Sequence, residues 1–232
     1  MNQYVILFDI NETVLDLKVL KPKFKHYFGD ENHMDTWFSM LLHSSTVCIA
    51  TEVKTDFKSL AKAALDALSG RLSIALSTDG CNDILGTLAN LPAHADIKLA
   101  LTNLRKANFK LVAFSNSSLA LLSSQLKNAT LYEYFDDVIS VESAGTFKPS
   151  EKAYKFAVNK LDVPASHVRL VATHDWDTHG ALSAGINAAY IDRLGATYNP
   201  LYKKPNIIGN SMGEIAQKVI EEKLEILASN EP

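Results

Sequence analysis

The period of apolar and polar positions changes along the chain, and those changes divide it. Tyr4-Val5-Ile6-Leu7-Phe8 is an unbroken apolar run, too short for a helix and rich in β-formers, which predicts a fully buried strand. It stops on Asp9, followed by Ile10-Asn11-Glu12-Thr13. Beyond Thr13 the spacing turns helical. Residues 17–28 and 34–46 have apolar spacing compatible with helices, and Phe57, Leu60, Ala61, Ala64, Leu65 and Leu68 mark one amphipathic face. Gly70 and the Asp79-Gly80 pair read as punctuation, and Ile84, Leu85 and Leu88 suggest one more helix before Pro92. Nothing between about residue 15 and residue 96 reads as strand.

From Asp96 the pattern alternates. A helix through Leu104 leads to a strand at residues 109–114, which stops at Ser115-Asn116-Ser117. A helix with Leu119, Leu122 and Leu126 precedes a strand at 137–141, and a loop then brings Phe147-Lys148-Pro149-Ser150. After a helix carrying Tyr154 to Leu161, a strand at 168–172 stops at Thr173-His174-Asp175-Trp176-Asp177. A short helix, further strands near 188–191 and 205–208, and an amphipathic helix with Met212, Ile215, Ala216, Val219 and Ile220 complete the chain. Strands alternating with helices imply right-handed parallel crossovers. The expected fold is α/β: a doubly wound, Rossmann-like parallel sheet formed by residues 1–14 and 97–232, with an all-helical cap inserted at 15–96.

Composition narrows the function classes. A chain of 232 residues with 47% hydrophobic content can bury a substantial core. A net charge of −3 with interspersed signs gives no electrostatic footprint for nucleic acid or an anionic membrane. Cys48 and Cys81, the only cysteines, have neither metal-type nor redox-type spacing. No apolar run is long enough to cross a bilayer and no leader pattern starts the chain, so the expectation is a cytoplasmic protein.

Four strand ends or loops offer reactive side chains: Asp9 with Asn11, Glu12 and Thr13; Ser115 with Asn116; Lys148; and His174 with Asp177. In open parallel sheets, binding sites lie outside the carboxyl ends of the strands. An Asp, a hydroxyl, a Lys and a second acid converging there suit nucleophilic catalysis by a carboxylate. The stretches FDINET (8–13), FSNSS (114–118), FKPSEKAY (147–154) and VATHDWDTHGA (171–181) resemble, in order, the four motifs of the haloacid dehalogenase superfamily. Within it the chain looks most like the type II (S)-2-haloacid dehalogenases.

The resemblance implies that Asp9 attacks the carbon bearing a halogen, that a water then hydrolyses the aspartyl ester, and that no metal or other cofactor takes part. It assigns Lys148 to keeping Asp9 ionised, Thr13 to positioning it, and Asp177 to holding Lys148 and the loop. Ser115, Asn116 and the main-chain N–H groups of Ile10 and Asn11 are expected to cradle the carboxylate of a small 2-haloacid. Trp37, Phe38 and Leu41 are expected to line an apolar pocket. It also suggests a homodimer.

Two departures from the family pattern stand out. Phe38 occupies the position of the usual cap arginine. His174 stands where many relatives have Asn, while Glu12 adds an acid near the nucleophile. This pairing predicts a Glu12–His174 dyad that activates water, with His179 the weaker candidate. The rival reading within the superfamily is a Mg²⁺-dependent phosphatase. Asn11 counts against it, because it replaces the Asp that protonates a leaving alkoxide. Thr173 replaces an early metal-binding Asp, for which only Asp175 is a nearby substitute. A non-catalytic relative using its cap as a binding surface is the remaining alternative.

Overall fold

The computed structural model describes residues 3–229. The first strand, β1 (Tyr4–Phe8), is followed by a 3-10 turn at Leu17–Leu20 and four helices: α1 (Lys21–Phe28), α2 (His33–Thr51), α3 (Phe57–Leu72) and α4 (Thr78–Leu88). Then come α5 (Ile97–Lys106), β2 (Phe109–Ser115), α6 (Leu119–Asn128), β3 (Asp137–Ser140), α7 (Glu151–Leu161) and β4 (Val168–Ala172). The chain continues through α8 (Asp175–Ser183), β5 (Asn187–Ile191), β6 (Ile207–Gly209) and α9 (Met212–Ser229).

All six strands pair in parallel, in the order β3-β2-β1-β4-β5-β6. This is the doubly wound arrangement the alternating pattern predicts. Strand order reverses beside β1, which pairs β2 on one side and β4 on the other. The crevice at such a switch point is where this fold binds ligands. Val5, Ile6, Leu7 and Phe8 are each at most 1% exposed. Burying each contributes roughly 1.5–3 kcal/mol, so β1 fixes the sheet centre and with it the place of Asp9.

Helices α1 to α4 pack on one another, and no named strand falls between β1 and α5 among the described residues. The two chain segments that join them to the sheet are laced together. Asp16 N donates to Pro92 O (2.8 Å) and His94 N to Val14 O (3.0 Å).

The punctuation expected at Asp79-Gly80 is not a turn. Both residues lie in the first turn of α4, where the Ser77 side chain caps the helix by accepting from Gly80 N at 3.1 Å. A Cβ at Gly80 would lie 2.8 Å from Leu76 Cδ1 and 3.0 Å from Tyr27 Cε1, so a larger residue there would make the Leu76 side chain shift. Gly70 likewise sits inside α3, and α2 runs on to Thr51 before Glu52 closes it in a left-handed conformation. No helix among the described residues is long and apolar enough to cross a membrane.

Candidate active site

Asp9 directly follows β1, and its N–H extends the ladder by donating to Val171 O of β4. Its carboxylate is 5% exposed yet fully partnered. Oδ1 accepts from Lys148 Nζ at 2.8 Å; Oδ2 accepts from Thr13 Oγ1 at 2.7 Å and lies 3.2 Å from His174 Nδ1. Burial works to raise the Asp9 carboxyl, but Lys148 and His174 together outweigh it and hold it well below its ordinary value. The buried group nearest the switch point is therefore an ionised carboxylate.

Lys148, 1% exposed, also reaches Asp177 Oδ2 (2.5 Å) and Phe114 O (3.4 Å). Burial disfavours its charge, yet Asp177 and Asp9 raise it above the usual lysine value. Asp177 is pushed up by burial, with Lys148 opposing. Tyr154 completes this end of the site: its hydroxyl donates to Asp177 Oδ1 at 2.6 Å. The sequence places Tyr154 at the end of the FKPSEKAY stretch and in a helix, with no role in the site. The signal available was a tyrosine inside that stretch, whose hydroxyl needs a partner once buried. Helix α8 approaches Tyr154 so closely that a Cβ at Gly180 would lie 2.6 Å from its hydroxyl.

His174 precedes α8 and bridges two carboxylates, with Nδ1 toward Asp9 and Nε2 2.7 Å from Glu12 Oε2. Its ring stacks on Trp176 at 5.1 Å and faces Phe38 at 6.1 Å. Burial would lower its pKa, but hydrogen bonds to Asp9 and Glu12 raise it to about 10. The resting site thus holds an imidazolium. His179 points elsewhere, its Nδ1 accepting from Lys203 N and its ring stacked on Tyr202.

The expected substrate cradle is brought together only in part. Asn116 Oδ1 accepts from Lys148 N (2.9 Å), and Ser115 Oγ accepts from Ser117 N (3.1 Å). The side chain of Asn11, a residue expected to contribute its main-chain N–H, faces the interior, with its Oδ1 accepting from Gln125 Nε2 at 3.2 Å. The side chain of Ile10 is fully buried, and its carbonyl accepts from Val14 N and Leu15 N. The apolar wall also differs from expectation. Met34, Phe38 and Leu42, four residues apart on α2, line a cleft of about 430 Å³ that reaches Glu12 and His174 and carries Lys18 and Lys21. Trp37 and Leu41 do not line it. Trp37 donates its indole N–H to Ala61 O of α3, and both side chains are fully buried.

A divalent cation does not fit this donor set. Asp9 and Asp177 both close on the Lys148 ammonium, and Asp175 accepts from Trp176 N and Asn199 N instead of joining them. Among the described residues no group of three His, Cys, Asp or Glu side chains is arranged to hold a metal.

A doubly wound sheet with an ionised carboxylate after its first strand, a buried lysine on it and a second acid behind the lysine suits a hydrolase that could use that carboxylate as nucleophile. The chain belongs to the haloacid dehalogenase-like hydrolases, whose family model matches residues 6–191. It is 28% identical over 216 residues to (S)-2-haloacid dehalogenase 1 of a Pseudomonas species (strain CBS-3), covering 92% of this chain and 95% of that one. It is 24% identical to (S)-2-haloacid dehalogenase 2 of the same strain, over 90% and 93% of the two chains. Among solved structures, the L-2-haloacid dehalogenase of Xanthobacter autotrophicus superposes with a TM-score of 0.85 at 23% identity, covering 94% of this chain and 98% of that chain.

Proposed function

We propose that the protein hydrolyses short (S)-2-haloalkanoic acids to (R)-2-hydroxy acids through an ester on Asp9. The observation that carries this reading is a buried carboxylate kept ionised by Lys148, with no proton donor for an alkoxide leaving group at Asn11, whose side chain is engaged with Gln125. A halide departs without protonation. The relatives' names agree, and one solved form of the Xanthobacter enzyme has chloropropionic acid covalently bound.

A carboxylate oxygen of Asp9 attacks C2 from the face opposite the halogen. The C–O bond forms as the C–X bond breaks, halide leaves with the electron pair, and C2 inverts. Asn116, whose Oδ1 is engaged by Lys148 N, keeps its amide N–H groups for the substrate or the departing halide. At the cleft Lys18 offers an anionic acid a positive charge, while Lys21 is paired with Asp35 at 3.2 Å. Residues 15–96 act as the cap over this cleft, in a cytoplasmic homodimer.

Water activation depends on a change of charge. A base that already carries its proton cannot take one, and His174 is protonated while Asp9 and Glu12 both face it. Esterification removes the Asp9 charge. His174 then loses its Nδ1 counter-ion and releases a proton to solvent through the cleft, while Glu12 keeps the proton on Nε2. Nδ1, which faces the ester, accepts a proton from water as hydroxide adds to the Asp9 carbonyl carbon. The tetrahedral adduct expels the 2-hydroxy acid, whose oxygen takes that proton back from His174. The Asp9 carboxylic acid then protonates His174, restoring the ion pair. The balance is one haloacid and one water in, and one hydroxy acid, one halide and one proton out.

Halide release from each enantiomer of 2-chloropropionate, with and without chelator, tests the proposal. Chelator-insensitive release from the S enantiomer is expected. Hydrolysis of an aryl phosphate that strictly needs Mg²⁺, without halide release, would overturn it.

A further inference from the structure

The Glu12 carboxylate reaches His174 from a backbone conformation that a glutamate rarely adopts. Its φ is 64°, in the left-handed region, which costs a residue with a Cβ on the order of 1–2 kcal/mol and persists only where surrounding contacts impose it. The turn is closed locally by Val14 N and Leu15 N, both donating to Ile10 O at 2.9 Å, and two further contacts reach it from outside the catalytic constellation. The Glu12 carbonyl lies 2.9 Å from His94 Nε2, and the next carbonyl, that of Thr13, accepts from Arg193 Nε at 2.8 Å. A carbonyl only accepts, so the His94 proton is on Nε2. Burial and the neighbouring Arg193 cation hold His94 below the usual imidazole value, which keeps it neutral near pH 7.

Arg193 is itself fixed. Its two terminal nitrogens fork onto Asp96, at 3.0 and 3.3 Å, and Asp96 Oδ2 also accepts from Met212 N (2.7 Å) at the start of α9. His94 is held through its own N–H on Val14 O. Two successive carbonyls after the nucleophile are thus clamped by side chains more than 80 positions away, from the segment between α4 and α5 and from the loop after β5.

We infer that His94 and the Arg193–Asp96 pair are positioning residues: a bracket on the Glu12 and Thr13 carbonyls that imposes the left-handed turn and so aims the Glu12 carboxylate at His174. The inference rests on the water-activating role proposed above for that pair. Without the bracket, residue 12 relaxes to ordinary backbone, Glu12 withdraws, and His174 loses the partner that orients it during ester hydrolysis. Alkylation of Asp9 is spared, because Lys148 and Thr13 Oγ1 still hold the nucleophile.

The test compares His94→Phe, which removes the donor, with His94→Gln, which keeps an N–H for the Glu12 carbonyl. In the full-length protein, imidazole nitrogen NMR follows the titration of His174. Halide release from (S)-2-chloropropionate is resolved into a pre-steady-state burst and a steady state. His94→Phe is expected to lower the His174 midpoint by about one pH unit or more. It should slow the steady state roughly tenfold while the burst stays within about twofold. His94→Gln should restore both. If His94→Phe does not fold, Arg193→Gln carries the same two readouts.

A His174 midpoint unchanged in these variants overturns the bracket, as does equal loss of burst and steady state. Should the parent protein release no halide from either enantiomer, the dehalogenase reading fails. The His174 titration then still decides the bracket.

Discussion

Replacing Lys148 by Met keeps most of the side-chain volume and removes the charge between Asp9 and Asp177. At 2.8 Å and an effective dielectric near 20, the Lys148–Asp9 attraction is worth ~6 kcal/mol, roughly four powers of ten in the proton affinity of Asp9. His174, 3.2 Å from the other carboxylate oxygen, recovers part of that. Burial, the largest influence on Asp9, then dominates and pushes the carboxyl upward. The substitution also strands Asp177 in the interior with only Tyr154 as a donor, a loss of about 3–5 kcal/mol in stability. Stopped-flow halide release under single-turnover conditions, at a series of pH values, reads the consequence. The parent burst should be flat through neutral pH, whereas the Lys148→Met burst should climb about tenfold per pH unit as Asp9 ionises. Urea unfolding at each pH confirms that folded protein is being measured. A Lys148→Met burst that is slow but independent of pH would refute the reasoning, since Lys148 would then act on the transition state and not on the charge of Asp9.

Three further outcomes follow from the same geometry. Glu12→Gln should leave the halide burst intact and slow turnover about a hundredfold, trapping an ester that intact-protein mass spectrometry detects; normal turnover would end the dyad. His174 has a folded pKa raised to about 10 from an ordinary 6.5, so its contribution to stability is complete below about 6.5 and is lost as pH rises through about 10. The difference in urea midpoint between the parent and His174→Asn should therefore shrink between pH 7 and pH 10.5, and a constant difference would argue against the bridging imidazolium. Gly180→Ala should destabilise the fold by about 1–3 kcal/mol, because the added Cβ would lie 2.6 Å from the Tyr154 hydroxyl and 2.7 Å from Pro149 Cβ. Thermal unfolding measures that loss, and a variant as stable as the parent would show that α8 can shift away from α7.

What the sequence made legible was local. Five consecutive apolar residues sufficed to place β1, because a fully buried strand needs nothing more than that run. Asp9, Lys148, His174 and Asp177 could be grouped because strands in this fold open their carboxyl ends onto one crevice. The Asp79-Gly80 pair misled because glycine was read as a turn former, whereas both residues lie in the first turn of a helix that the Ser77 side chain caps. Trp37 and Leu41 misled because periodicity identifies a helix's apolar positions without saying which partner each one meets. Phe38 faces His174, while Trp37 bonds α3. The bracket had no local signal at all. Its Arg193–Thr13 contact spans 180 positions, and a left-handed residue is foreshadowed by Gly or Asn, not by Glu.

The charge balance of the site bears on which reaction it favours. Asp9, Asp177 and Glu12 face only two cations, Lys148 and His174. A phosphate ester would bring its negative charge toward three carboxylates, two of them buried, and leave as an alkoxide that Asn11 cannot protonate. A 2-haloacid brings a single charge, and in the proposed reaction one charge leaves the protein, because Asp9 would become a neutral ester while the halide carries the electron pair away. At that moment His174 has one carboxylate partner in place of two, and its hold on the proton weakens. In the proposed mechanism the group that steadies Asp9 before alkylation thus becomes a base after it. A site built for phosphoryl transfer has no use for a histidine strapped between its nucleophile and a glutamate in a left-handed turn. A site that must first protect a carboxylate and then hydrolyse its ester does.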